Sequence, residues 1–184
     1  MKGDFKTLYS LPVDAMYRRM LQESDNMMAE QIMLMVAAQI DANNAGFDTE
    51  KGIDYAKKQL LADLPDEPIW KDGSGLSRYN LFTPRSIIKL LAKIYAKVPD
   101  QERLFGLMPI GGKAGTIRNQ YKNKPPFVFA KTGTLSNNYS LSGYLRTKKG
   151  KILLFSLMNT HFTRPTSEIR REVERILTEI YEKY

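Results

Sequence analysis

Apolar residues recur every three to four positions over the first two thirds of the chain and every second position after that. Helices are therefore expected first and strands later. Val13, Met16, Tyr17, Met20 and Leu21 make one helical stripe between Leu11 and Glu23, with Pro12 placed for a first turn. A second helix is expected from about Met27 to Ile40, ending in an Asn43-Asn44-Ala45-Gly46 turn, and its nearly all-round apolarity predicts burial. Asp48 or Thr49 caps a third, running to about Leu64 with Ile53, Ala56, Leu60 and Leu61 on one face. Thr83-Pro84 opens a fourth, with Ile87, Leu90, Leu91, Ile94 and Val98 as its core stripe and Pro99 as its stop. From Gly106 to Pro126 the pattern is loop-like, with a short turn near Gly115 to Gln120.

Three strands follow: Phe127 to Gly133, Tyr139 to Thr147 and Lys151 to Asn159, the last two joined by a Lys148-Lys149-Gly150 turn. Short connections make them an antiparallel meander. An amphipathic helix from Ser167, carrying Ile169, Val173, Ile176, Leu177 and Ile180, closes the chain. Helices, then strands, then a helix give an α+β fold, an antiparallel sheet packed against helices. One domain suits 184 residues.

Composition narrows the chemistry. There is no cysteine and only His161 among histidines, which argues against a zinc site, a cysteine nucleophile or a Ser-His-Asp triad. No metal or cofactor is expected. No apolar run is long enough to span a bilayer, and Met1 to Phe5 does not begin a signal peptide. The net charge of +8 is unevenly placed: Arg103 to Ser167 holds eleven Lys or Arg and no Asp or Glu. Such a block favours anionic partners, or is simply a solvated basic surface.

Two short motifs carry the candidate chemistry. Ser24-Asp25-Asn26 lies between two helices, where all three residues are also good caps. Lys131-Thr132-Gly133-Thr134 lies on a strand, where it could equally be a glycine-containing hairpin end. A hydroxyl beside a cation can relay a proton to a leaving amine. The Asn26 amide can hold a peptide group through donor and acceptor. A glycine on a strand edge admits an extended peptide, and lysine with threonine can hold a carboxylate.

In order and about 100 residues apart, these motifs resemble the second and third active-site motifs of serine penicillin-binding proteins and β-lactamases. Asp72-Gly73-Ser74-Gly75-Leu76-Ser77-Arg78-Tyr79-Asn80, Gly115-Thr116-Ile117-Arg118 and Ala130 to Leu135 with Ser142-Gly143-Tyr144 make the resemblance narrower. The chain is similar to class C low-molecular-mass penicillin-binding proteins, the type-4 D-alanyl-D-alanine carboxypeptidase/endopeptidases, from about Ala15 to Asn159.

That resemblance implies a transpeptidase-like fold, acyl-serine chemistry on peptidoglycan stem peptides, β-lactam binding and an extracytoplasmic or periplasmic location. It makes Ser24 the proton-relay serine, Asn26 the substrate-amide contact and Lys131 the motif lysine that bonds the serine. Thr132, Gly133 and Thr134 become the carboxylate or main-chain contacts, and Arg78 an arginine of the substrate pocket. The basic block around Lys131 is expected to surround the carboxylate.

The family also carries Ser-x-x-Lys, whose serine is acylated, well ahead of Ser-x-Asn. Only 23 residues precede Ser24, and none of them spells it. The chain, 1–184, is therefore expected to be the C-terminal portion of such a domain, its partner being a preceding segment of the same protein. Ser86-Ile87-Ile88-Lys89 spells the motif but stands out of order, on what reads as a solvated helix face with Lys89 and Lys93. Gly106 to Lys113 lacks the spacing of a phosphate loop. Two alternatives stay open: a class A β-lactamase fragment, and a noncatalytic module binding peptidoglycan or nucleic acid through its basic block. No groove-reading motif or cluster of stacking aromatics supports nucleic acid.

Overall fold

The computed structural model describes residues 6, 9–40, 48–122 and 124–184. The turn expected at Asn43 to Gly46 lies outside the described residues. Six helices and three strands are described: α1 Val13–Gln22, α2 Asn26–Ile40, α3 Thr49–Tyr55, α4 Pro84–Lys97, α5 Gln101–Leu107, β1 Val128–Leu135, β2 Asn138–Arg146, β3 Ile152–Thr160 and α6 Thr166–Lys183. The strands form one antiparallel sheet in the order β1-β2-β3. The fold is α+β, as the order of periods predicted.

Alternation along the strands sets the two faces. Val128, Ala130, Tyr139, Leu141 and Leu145 pack on one side with Ile169, Val173 and Leu177 of α6. Phe129 and Tyr144 point the other way, onto Leu91 of α4 and Leu104 and Phe105 of α5. The Tyr144 hydroxyl donates to the Leu91 carbonyl at 2.9 Å, tying sheet to helix. Burial pushes that hydroxyl's pKa up to about 12, so it remains a donor at any ordinary pH. Gly143 is required at its position: a Cβ there would lie 2.2 Å from the Phe129 carbonyl oxygen on β1.

Local chemistry explains most boundaries. Asp48 caps α3 by accepting from the Glu50 N–H, and Thr83 caps α4 by accepting from the Ser86 N–H, with Pro84 in its first turn. Asp100 accepts from the Arg103 N–H and starts α5, a short helix the apolar pattern did not announce.

Three expectations need correction. The third helix stops its α-helical winding at Tyr55 and continues as a π-helical turn over Ala56–Leu60. The extra residue in that turn rotates the face, so Leu61 is buried while Leu60 is exposed. Helix α2 is not buried all round. Only Met33 and Ala37 are covered, while Met27 and Met35 stand 70% and 63% exposed. It packs through one side only, where Gly52 of α3 comes so close that a Cβ would meet the Met33 carbonyl at 2.6 Å.

Ser86 is the third correction, because it faces the interior with no exposure at all. Its hydroxyl donates to the Asp66 carbonyl at 3.0 Å and accepts from the Asp66 N–H at 3.2 Å. A serine committed to closing the preceding loop is no nucleophile. Its expected companions do sit outside, Lys89 and Lys93 both pairing with Asp63.

Candidate active site

Helix α1 ends at Gln22, whose side chain donates to the carbonyls of Gly106 and Met108, both at 3.1 Å. That clamp fixes the entry to the α1–α2 corner. Ser24 then adopts φ +57, the left-handed region that side chains other than glycine seldom enter, at a cost of about 1–3 kcal/mol. Asp25 offsets it by capping α2, its Oδ1 accepting from the Met28 N–H at 3.1 Å. Thus the capping role expected of Ser-Asp-Asn falls to Asp25 alone, and the Ser24 hydroxyl is free to point elsewhere.

It points at Lys131. The Lys131 Nζ donates to Ser24 Oγ at 2.7 Å and to its neighbour's carbonyl, Thr132 O, at 2.9 Å. Strand alternation explains the aim: Lys131 shares the face of Phe129, on the side of α4 and α5. Burial alone lowers the pKa of the ammonium from its ordinary value. Asn26, exposed at the start of α2, lines the same cleft, and its amide makes no hydrogen bond among the described residues.

The strand carrying Lys131 is half open at its edge. Pro109 O accepts from the Ala130 N–H at 3.0 Å, and the Gly111 N–H donates to Val128 O at 2.9 Å. That crossing segment covers only the first part of β1, leaving Thr132 to Leu135 without a strand neighbour on the outer side among the described residues. Thr132 and Thr134 turn to the face of α6, where Thr132 Oγ1 donates to Thr116 Oγ1 at 2.9 Å. Gly133 is exposed, but its missing side chain serves the sheet interior. A Cβ there would lie 2.6 Å from Ser140 Oγ on β2.

The opposite wall is the loop from Asp72 to Asn80, built around one carboxylate. Asp72 accepts from the backbone N–H groups of Gly75 and Ser77, from Ser74 Oγ and from Asn80 Nδ2. Burial opposes ionisation of Asp72, but these donors together outweigh it and hold the carboxyl below its usual range. Glu30 of α2 accepts from the N–H of Gly73 at 3.2 Å and of Ser74 at 2.9 Å, which fastens the loop to the Ser24 helix corner. Gly73 permits the close approach, since a Cβ would meet Ala29 O at 2.8 Å. Arg78 is presented from this loop, exposed and lining the cleft.

The cleft measures about 940 Å³, and Ser24, Asn26, Arg78, Lys131, Thr132, Gly133 and Thr134 all line it. No Asp or Glu does. The expected basic surround is corrected, however. Of the cations between Arg103 and Ser167, Lys131 alone lines the cleft. Arg103 pairs with Asp14, Arg146 with Glu102, and Lys124 and Lys148 with Glu182. Acidic residues from other parts of the chain thus pair with four cations of the block on the outer surface, a pairing that linear charge counting cannot show. Sequence reasoning also passed over Gln120, Tyr139 and Arg170, which line the cleft from three separate elements with no shared motif.

With this geometry in place, comparison with known proteins is informative. The D-Ala-D-Ala carboxypeptidase 3 (S13) family matches residues 5–180. D-alanyl-D-alanine carboxypeptidase DacB of Haemophilus influenzae is 33% identical over 153 residues, covering 79% of this chain and 31% of that protein. The crystal structure of penicillin binding protein 4 (dacB) from Haemophilus influenzae superposes with a TM-score of 0.77 at 28% identity, over 94% of this chain and 40% of that one. The same protein complexed with a novel β-lactam superposes at 0.76, with 28% identity, over 94% and 42% of the two chains. The chain spans about a third of the curated relative's length. Across almost its whole length, it belongs to the D-Ala-D-Ala carboxypeptidase 3 (S13) family.

Proposed function

We propose that this chain is the substrate-binding C-terminal portion of a serine-type D-alanyl-D-alanine carboxypeptidase/endopeptidase of peptidoglycan stem peptides. A preceding segment of the same polypeptide supplies the Ser-x-x-Lys nucleophile. The observation that carries this reading is the 2.7 Å hydrogen bond from Lys131 to Ser24, opening onto a cleft lined by no acid among the described residues and lying beside the end of β1. An extended peptide can pair with that edge through its main chain. The parent protein also takes β-lactams, as the relative complexed with one suggests.

In this reading the lysine of Ser-x-x-Lys takes the proton of the nucleophilic serine, the serine oxygen bonds to the carbonyl carbon of the penultimate D-alanine and the C–N bond breaks. The leaving amine takes the Ser24 proton, which Lys131 replaces. Water then hydrolyses the ester. Lys131 suits the relay because burial weakens its hold on the proton without any nearby carboxylate to restore it. Asn26 holds the substrate amide, Arg78 the body of the stem peptide, and Thr132 and Thr134 its carboxylate or main chain. Such an enzyme works outside the cytoplasm, in the periplasm where an outer membrane exists. Among the described residues, no helix is long and apolar enough to cross a membrane.

Two surfaces support a preceding segment. Along β3, Ile152 to Asn159 are all only half-buried, and no strand pairs with its outer edge among the described residues. Met27 and Met35 of α2 lie exposed as well.

Fluorescent penicillin tests the proposal. The 184-residue chain should take no covalent label, whereas a polypeptide extended upstream through Ser-x-x-Lys should be labelled on that serine and release D-alanine from a pentapeptide. A label on this chain that maps to Ser86 or Ser24 would overturn the division of labour.

A further inference from the structure

Ser24 occupies a place that its own backbone preferences do not hold. It follows the last turn of α1 in the left-handed region, with the Asp25 N–H bonded to the Met20 carbonyl at 3.1 Å. That is the closing pattern of helices that usually end in glycine. A serine in this conformation persists only where the surrounding structure holds it. Its hydroxyl nonetheless stays 2.7 Å from the Lys131 amine, on a strand 107 positions away.

One residue beside Ser24 reaches the segments that hold Lys131. Gln22, the last residue of α1, donates from Nε2 to the Gly106 and Met108 carbonyls. Both acceptors lie at the C-terminal end of α5, where the last carbonyls have no partner within the helix. Pro109 comes next, and its carbonyl accepts from the Ala130 N–H at 3.0 Å. The Gln22 backbone also abuts Gly115, where a Cβ would lie 2.9 Å from Gln22 O and 3.1 Å from Pro109 Cα. Gly115 precedes Thr116, which accepts from Thr132 at 2.9 Å. Both chain neighbours of Lys131 are thus fastened to segments that meet at Gln22.

We infer that Gln22 is a positioning residue for the Ser24–Lys131 pair: by fastening the end of α1 to the segment that carries Ala130, it fixes the distance over which the proton passes. Gln22 is not among the residues that line the cleft, and its amide ends on backbone carbonyls, so it acts through Ser24 and not on substrate. About 1 Å of misplacement can cost about 10²-fold in rate, which gives such a brace its leverage. The inference rests on the proposed peptidase reading and deepens it, adding to the relay a residue outside its motifs.

The test uses Gln22→Met, close in size and unable to donate, and Gln22→Lys, whose amine can give hydrogen bonds to both carbonyls. In the 184-residue chain, isotopically labelled at lysine, the side-chain carbon signals of Lys131 report the bond to Ser24, with Ser24→Ala as the reference for its loss. Gln22→Met should move those signals towards the Ser24→Ala positions, and Gln22→Lys should return them. In the upstream-extended protein, Gln22→Met should lower kcat for D-alanine release by about 10²-fold with KM little changed, and Gln22→Lys should recover most of that loss. Phe155→Ala controls for general destabilisation and should leave both readouts alone.

Lys131 signals unchanged in a folded Gln22→Met chain, or a kcat loss no larger than that of Phe155→Ala, overturn the inference while leaving the peptidase reading intact. Where Gln22→Met fails to fold by circular dichroism, Gln22→Asn, a donor one carbon too short, takes its place with the same two readouts. An upstream-extended wild type that takes no penicillin and releases no D-alanine sinks the peptidase reading, and the Lys131 signals still decide whether Gln22 positions the pair.

Discussion

The two outer strands of the sheet are open in different ways. From Thr132 to Leu135, β1 lines the cleft with two threonines, a glycine and one leucine, and no strand of the described residues pairs with its outer edge there. β3 has no strand partner on its outer edge among the described residues over nine residues, with Leu153, Phe155 and Leu157 packed on the α6 side and Ile152 and Leu154 on the other. A short polar edge next to a pocket can be left for a ligand. A long apolar edge invites another strand and is seldom left bare in a finished protein. Under the proposed function the first is a binding surface and the second a joining surface for the preceding segment.

Gly143 tests the sheet that separates those edges, and its effect should be the largest. Gly143→Val drives a side chain into the Phe129 carbonyl and the Ala130 backbone, so the variant should not fold, by loss of near-ultraviolet circular dichroism. A folded variant would mean that β1 is not held where it is described.

Lys131→Met should separate function from stability. In the upstream-extended protein, penicillin acylation should slow by about 10²–10⁴-fold, the usual scale for losing proton transfer. Tm should move little, because removing a partly buried cation relieves its desolvation. A large fall in Tm with little change in rate would make β1 scaffold instead of site.

Phe155→Ala should do the reverse. Its half-buried ring packs against the α6-side core, so about 2 kcal/mol of stability should go, read from urea denaturation, with acylation of the folded fraction unchanged. An unchanged denaturation midpoint would remove β3 from the scaffold.

The smallest effect concerns the facing wall. Asp72→Asn should cost about 1–2 kcal/mol at neutral pH by leaving loop donors short of acceptors. Asp72 has a lowered pKa in the folded chain, so its contribution is complete above the ordinary value of 3.8 and disappears as pH falls through the lowered one. Denaturation midpoints of wild type and variant, followed from about pH 5 down to about pH 2, should converge at the acid end. A constant gap would show that the carboxylate charge does not organise the loop.

Much of the site was legible because it sits in contiguous motifs. Ser24 to Asn26, Asp72 to Asn80 and Lys131 to Thr134 each place several chemical groups within one turn or strand, and the structure brings all three to one cleft. Residues that line the cleft singly left no such mark. Arg170 looks like any other basic residue on a helix rich in them, and Gln120 like any loop glutamine. Ser86 read as solvated because helical periodicity says which residues share a face but not what covers that face, here the Asp66 backbone.

From its sequence alone this protein has its order of elements, its α+β class, its loop glycines and its family, since these follow from local conformational preference and short-range pattern. Only the tertiary structure decided that Lys131 bonds Ser24 across 107 positions, and that four cations of the basic block pair with acids away from the cleft. Those outcomes depend on distance between groups remote in the chain, and distance is set when the faces of helices and sheet pack.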